Sequence, residues 1–320
     1  METQISIKNI NPNDSESINS FSIQKNDNLT LFKINGKNSD KSVLISCYLH
    51  GNEPCGYNAI NELLNKSEVF QNSNYNIYLL LGNTTAAKQN TRFITENFNR
   101  IWTSNPKTNI EKKAFKIIEY LNTKNLIGIL DLHSFSDKES DPHFFHLNTQ
   151  LAKKFFDKQI EFGFKVGANE NMLIEQFENI PSFLIECGYH FDFTSSNLAK
   201  NCIKIFLSKL DVTKKFKLET ALNINQTLYL ENEANVKFNT NLKFEKNINQ
   251  INLKHLTKDT LIGECDKKSQ LNIIGENSFE NMFYIKNNKL YLKKNHFTTL
   301  LTSNNENMFE SGCYIYTIWL

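Results

Sequence analysis

His50 and Glu53 stand three residues apart directly after the apolar run Val43–Leu49, and His133 follows a second such run, Leu126–Leu132. Two imidazoles and one carboxylate are the ligand set of a catalytic zinc rather than a structural one, because three protein donors leave the fourth corner of a tetrahedral ion open. Alone, a His-x-x-Glu pair is weak, since a surface ion pair or a helix cap accounts for most such spacings. A lone histidine after an apolar strand is likewise more often a hydrogen-bonded core residue. Their joint placement at strand ends is what gives the set weight. Glu186 follows a third apolar stretch, Phe183–Ile185. Desolvation at a strand tip raises a carboxyl pKa and suits it to general-base work, although pairing with a nearby lysine is the competing reading. Asp131, two residues before His133, is placed to orient a ligand imidazole from behind.

Of the 36 cationic residues only two are arginine, Arg92 and Arg100, eight positions apart. Arginine offers a rigid fork of donors that grips carboxylates and oxyanions in a way lysine cannot copy. A chain that otherwise uses lysine and puts both arginines in one short segment points to an anion-handling site there. His143 and His146 form a second pair, but residues three apart on a strand face opposite sides, so they read as core or rim positions. His190, just beyond Glu186, is a candidate lining residue, whereas His255 and His296 read as incidental.

Positioning these groups requires strands whose carboxyl ends converge. Strand-length apolar runs at Val43–Leu49, Tyr75–Leu81, Leu126–Leu132 and Phe183–Ile185 alternate with helical periods after Pro54, over 111–121, around Leu151–Ile160 and over Leu198–Leu210. The helical stripes are Ile60, Leu63 and Leu64 in the first and Ala114, Phe115, Ile118 and Leu121 in the second. Strands alternating with helices of this length predict an α/β fold with a largely parallel, covered sheet. Ligands of such sheets bind beyond the strands' carboxyl ends. After Asp211 the pattern shortens to alternating runs, including a hairpin centred on Asn287-Asn288. This predicts two domains, residues 1–212 carrying the chemistry and 213–320 a smaller β-domain, in which Tyr284, Tyr291, Tyr314 and Tyr316 read as strand packing.

A net charge of +2 gives no footprint for a nucleic-acid partner. No stretch approaches the roughly 20 apolar residues of a membrane helix. The start, Met1-Glu2-Thr3-Gln4, lacks a secretory pattern, and six scattered cysteines without a CxxC pair read as free thiols, so the expected compartment is the cytoplasm. Whether identical chains assemble is left open.

His50-Gly51-Asn52-Glu53-Pro54, Asn99-Arg100, Asp131-Leu132-His133 and Glu186-Cys187-Gly188, in that order and with Arg92 eight residues before Arg100, resemble the succinylglutamate desuccinylase/aspartoacylase family. The resemblance spans roughly residues 42 to 190 and implies a zinc carboxypeptidase-like fold: a mixed, largely parallel sheet flanked by helices. It implies one zinc ion held by His50, Glu53 and His133. Glu186 would activate zinc-bound water and pass its proton to the leaving amine, while Arg92 polarises the carbonyl and Asn99 and Arg100 hold the substrate carboxylate. The implied reaction is hydrolysis of the amide of a small N-acyl amino acid, a carbon–nitrogen bond of a linear amide other than a peptide bond. Two features depart from the family. Asn97 stands where Asp is common, and Gln176 occupies the position ten before Glu186 at which aspartoacylases carry a further arginine. The same constellation also serves zinc carboxypeptidases acting on short peptides, and a metal-binding module without catalysis is a third reading. Pocket shape and turnover of acyl amino acids against dipeptides separate them.

Overall fold

The computed structural model describes residues 4–37, 40–66, 68–71, 73–136, 141–167, 170–211, 226–238, 243–245, 250, 253–267, 271–274, 278–299 and 313–318. The chain divides into two compact units: Met1–Ser136 with Pro142–Ile160 and Asn169–Gln226, and Asp137–Asp141 with Glu161–Ala168 and Thr227–Leu320. The boundary expected between 212 and 213 lies outside the described residues.

The first unit opens with β1 (Ser6–Asn9), α1 (Ser15–Ile18), β2 (Thr30–Ile34), β3 (Ser42–Cys47), α2 (Cys55–Lys66) and α3 (Glu68–Gln71). It continues with β4 (Asn76–Leu81), α4 (Thr84–Lys88), α5 (Asn109–Asn122), β5 (Leu126–Phe135), β6 (His143–His146) and α6 (Thr149–Phe156). After β7 (Phe162–Lys165), which belongs to the second unit, β8 (Ser182–Tyr189) and α7 (Phe193–Leu210) complete it. Strand order is β1-β2-β4-β3-β5-β8-β6. The central four, β4, β3, β5 and β8, are parallel, with β2 and β6 antiparallel on either side. This is the mixed, largely parallel α/β sheet expected. β3 and β4 are buried at every position, which is why they read as continuous apolar runs rather than alternating ones.

Local chemistry explains the element ends. α5 begins at Asn109, two residues before the expected start at 111, because Thr108 and Glu111 form a reciprocal capping box. Its buried face is Ala114, Ile117, Ile118 and Leu121, so Ile117 takes the place expected of Phe115, which is only half-buried. Ile160 falls beyond the end of α6, where the chain turns after Phe156. Against β5 and β8, α7 presses Phe206 onto Gly128 and Phe183, and Phe144, Phe155 and Phe156 complete an aromatic cluster. Each fully buried phenylalanine contributes about 1.5–3 kcal/mol by area.

The second unit is almost entirely β. β9 (Leu228–Phe238) pairs with β7, with β13 (Leu271–Ile274) and with β17 (Cys313–Ile318), which continues through β16 (His296–Thr299) to β11 (His255–Leu256). A separate antiparallel sheet runs β10 (Lys243–Phe244), β12 (Leu261–Glu264), β15 (Lys289–Leu292) and β14 (Phe283–Lys286), with α8 (Phe279–Met282) leading into β14. The expected hairpin is β14–β15. Asn287 and Asn288 both take positive φ, 51° and 57°, the conformation of a type I′ turn. Tyr284 and Tyr291 pair across it with ring centroids 5.2 Å apart. Tyr314 and Tyr316 lie on β17, but their side chains fall outside the described residues.

Candidate active site

The loop 48–54 leaves β3 and carries His50 and Glu53 back across the sheet end. Gly51 lies against α4 so closely that a Cβ there would sit 2.3 Å from the Ala86 carbonyl carbon, which forces glycine into the motif. Its N–H donates to the Arg92 carbonyl, tying the loop to the arginine segment. β5 runs through His133 to Phe135 rather than stopping before it, and β8 runs through Glu186 to Tyr189. His133 and Glu186 are therefore direct cross-strand partners. Asp131 and His133, two apart on one strand, share a face, as the period of two requires.

The three expected ligands meet. His50, Glu53 and His133 are buried, and one ligand atom from each lies within 4.8 Å of the others. Glu53 is the hub: Oε1 lies 2.8 Å from His50 Nδ1 and 3.2 Å from Arg92 Nη1, and Oε2 lies 2.8 Å from His133 Nδ1 and accepts the Ser134 N–H at 3.3 Å. The outward nitrogens are also engaged. His133 Nε2 donates to Asp131 Oδ2 at 3.0 Å, while Asp131 Oδ1 accepts the Ser46 hydroxyl at 2.6 Å. His50 Nε2 lies 3.0 Å from Asn97 Oδ1, an atom fixed as the amide oxygen because it also accepts the Asn99 N–H.

These contacts test whether a metal fits. His50 must donate through Nε2, and burial first, then Arg92, lowers its pKa to about 4, so the ring is neutral and Nδ1 is a lone pair. That lone pair faces a carboxylate oxygen at 2.8 Å. Two acceptors at that separation call for a cation between them. Burial alone would lift the Glu53 pKa, but His50 and His133 outweigh it and hold the carboxyl well below the usual range. For His133, burial pushes downward, and Asp131 and then Glu53 outweigh it to hold the imidazole well above its usual range. The three donor atoms lie within 4.8 Å of one another, close enough to share one ion. The donor set fits.

Asp131 accepts from His133 Nε2, the ring nitrogen that does not face Glu53. Asp131→Asn removes the charge behind His133 while keeping its volume, and metal affinity is expected to fall about 10–100-fold, read by competition with a chromogenic chelator. An unchanged affinity would remove Asp131 from the site.

Glu186 is buried, and burial first, then the Glu53 charge, raises its pKa to about 8, with His133 and Arg92 pulling the other way. The nearby charge of a bound cation would restore its ionised form. Arg92 leans on Glu53 with its side chain 26% exposed. Asn99 and Arg100 occupy a 3-10 turn, Phe98–Arg100, capped by Asn97 and thereby linked to His50. Arg100 is not an isolated clamp: Nη1 donates to the Asn99 carbonyl, and Nε lies 3.4 Å from Glu170 Oε2. Gln176 donates to the Trp102 carbonyl at 2.7 Å and so serves the scaffold. His143 lies opposite Glu186 on β6, packed between Phe135 and Phe145, and both it and His146 are buried. The structure adds Ser46, Ser134 and Glu170 to the expected residues and gives Asn97 a contact with a ligand.

Buried side-chain atoms with no hydrogen-bond partner gather here, among them Asn52 Oδ1, Asn99 Oδ1, Ser134 Oγ, Glu186 Oε2 and His190 Nδ1. Each such atom costs about 1–3 kcal/mol until a hydrogen bond satisfies it.

At the carboxyl-terminal edge of a largely parallel α/β sheet stands a His–Glu–His set that could hold a metal ion. The sequence matches the family model described as the succinylglutamate desuccinylase/aspartoacylase catalytic domain over residues 39–205, more than half of the chain. The chain belongs to that family, a family of hydrolases acting on amide bonds. No curated protein matches the sequence. Among solved structures, murine aminoacylase 3 superposes with a TM-score of 0.60 at 14% identity, covering 89% of this chain and 97% of that one. The succinylglutamate desuccinylase/aspartoacylase of Rhodobacter sphaeroides gives 0.57 at 14%, covering 84% and 82%. The ectoine utilization protein EutE (DoeB) of Ruegeria pomeroyi gives 0.56 at 14%, covering 91% and 88%. At such identities the likeness is one of fold. Among the described residues no helix is long and apolar enough to cross a membrane.

Proposed function

We propose that the protein is a zinc-dependent deacylase that hydrolyses the amide bond of a small N-acyl amino acid. The observation that carries this reading is the carboxylate of Glu53 facing two imidazole Nδ1 atoms at 2.8 Å, with Glu186 in register beside them. Zinc held by His50, Glu53 and His133 would supply Lewis acidity, polarising the scissile carbonyl and acidifying water.

The remaining work falls to the chain. Glu186 takes the proton of the attacking water through Oε2, its unpartnered oxygen, and delivers it to the amine nitrogen as the bond breaks. Arg92 donates toward the oxygen on which negative charge develops, a role worth about 2.7–4 kcal/mol for one donor in a site that excludes water. Asn99 and Arg100 hold the carboxylate of the amino-acid portion. With Arg92 and Arg100 given these roles, the sequence has no third arginine, and Gln176 is committed to the backbone of Trp102. The acyl group is accordingly uncharged in this reading. Glu186 in register with His133 and Arg92 beside Glu53 support this reading over a metal-binding module without catalysis.

Zinc-loaded protein assayed on N-formyl, N-acetyl and N-succinyl amino acids and on dipeptides tests the proposal. An uncharged acyl amino acid should reach a kcat/KM of about 10⁴ M⁻¹s⁻¹ or more, with the succinyl series and dipeptides far below. Dipeptide turnover in preference to every acyl amino acid would make it a carboxypeptidase instead.

A further inference from the structure

We propose that Asn83 is a positioning residue for the reaction, the side chain that sets His50 and Arg92 against one another. Its part through Arg92 rests on the deacylase reading above; its part through His50 does not. β4 ends at Leu81, and Asn83 follows at φ −87° and ψ 73°, with the Thr84 N–H bonded to the Gly82 carbonyl at 3.1 Å, an inverse γ-turn. That turn leads the chain from β4 straight into α4. Asn83 is 3% exposed, and three of its polar groups are each engaged. Its N–H donates to the Tyr48 carbonyl at 2.6 Å, its carbonyl accepts the Ala87 N–H at 2.9 Å, and its Oδ1 accepts the Ala86 N–H at 3.0 Å.

These bonds close a circuit. From Tyr48 the loop runs through Leu49 and His50 to Gly51, whose N–H donates to the Arg92 carbonyl at 2.9 Å. One residue back, the Thr91 N–H donates to the Ala86 carbonyl at 3.1 Å, and Ala86 is the residue that Asn83 caps. Gly51 also rests on the Ala86–Ala87 peptide, where a Cβ would meet the Ala86 carbonyl carbon at 2.3 Å and the Ala87 nitrogen at 2.4 Å. Every bond in the circuit joins backbone to backbone except the one to Asn83 Oδ1. His50 and Arg92 both lie on it, and both reach Glu53 Oε1, at 2.8 Å from Nδ1 and 3.2 Å from Nη1.

The circuit carries strain at Tyr48. A tyrosine at φ 57° occupies the left-handed region, and a bulky residue persists there only where its surroundings hold it. The Asn83 N–H holds the Tyr48 carbonyl, and the Tyr48 ring packs on Tyr57 with centroids 5.2 Å apart. Gly82 must lack a side chain for this approach, since a Cβ would lie 2.5 Å from the Tyr48 oxygen. With Oδ1 removed, the Ala86 N–H loses its acceptor, and the five-residue α4 loosens at the end on which Gly51 and Thr91 bear. His50 and Arg92 then gain freedom together. Asn99 and Arg100, on the turn that Asn97 caps, lie outside the circuit.

Asn83→Ala should weaken zinc binding about tenfold in competition with a chelator. At saturating zinc it should lower kcat about tenfold and leave KM within about twofold, since the groups that hold the substrate carboxylate are untouched. Asn83→Asp and Asn83→Ser keep a capping acceptor and should each stay within about threefold of the wild type in zinc affinity and kcat. They keep the proposal falsifiable if the alanine variant folds poorly. Asn148→Ala removes the same kind of cap from α6, where Oδ1 accepts the Leu151 N–H at 3.0 Å, and should change neither quantity. Equal losses at positions 148 and 83, wild-type zinc affinity and kcat in Asn83→Ala, or no recovery with either acceptor would overturn the proposal. A wild type that turns over no acyl amino acid would instead remove the deacylase reading, and the zinc affinities would still decide the part played through His50.

Discussion

Glu186→Gln is expected to retain one zinc per chain and to lose kcat by about 10²–10⁴-fold, the range a positioned general base contributes. Gln matches Glu in size, so the packing of β8 between β5 and β6 is kept, and the three ligands are elsewhere on the chain. What disappears is the ability to carry a proton from water to amine. The KM should change little, because Glu186 is not asked to bind the carboxylate or the acyl chain. Elemental analysis of the variant together with its kcat separates the two effects. Metal retained with activity intact would show that another group moves the proton. Metal lost along with activity would mean that Glu186 supports the ligand cluster instead.

The sequence made the groups that meet in the candidate site legible because their chemistry restricts both residue type and location. Strand runs in a parallel sheet are buried on both faces, so Val43–Leu49 and Leu126–Leu132 announce themselves, and the polar residue that closes each run must lie at the carboxyl edge. The rarity of arginine likewise singles out Arg92 and Arg100. The supporting residues are hidden for an equally physical reason. Ser46 sits inside β3 and meets Asp131 only across the β3–β5 pairing, where their Cα atoms are register partners. Glu170 reaches Arg100 across 70 residues of chain, and nothing local to either marks the pair. Asn97 is visible as a departure from the family pattern, but its role as acceptor for His50 depends on the 3-10 turn it caps. The strands extend past His133 and Glu186, beyond the apolar runs, because the ladder of hydrogen bonds continues around polar side chains.

Glu53→Gln should be the most damaging change to the metal site, because one carboxylate serves both imidazoles, Arg92 and the Ser134 N–H. An amide of the same shape offers one acceptor oxygen and no charge, so zinc affinity is expected to fall by more than the roughly 10–100-fold seen for outer partners, with activity falling in parallel. The same geometry predicts a proton count. Before metal binds, Asp131 and Glu53 hold His133 protonated near neutral pH, with both ring nitrogens donating to carboxylates. Zinc requires the Nδ1 lone pair, so each ion bound must displace that proton. Its affinity should therefore drop about tenfold per pH unit below the raised His133 pKa and level off above it. Calorimetry in two buffers of different ionisation enthalpy reads the proton directly, and at least one should be released per zinc at pH 7. A heat independent of buffer would mean that His133 is already neutral, and the imidazolium held between two carboxylates would have to be abandoned. In the Glu53→Gln variant the count should fall, since one of the two charges that hold the proton is gone.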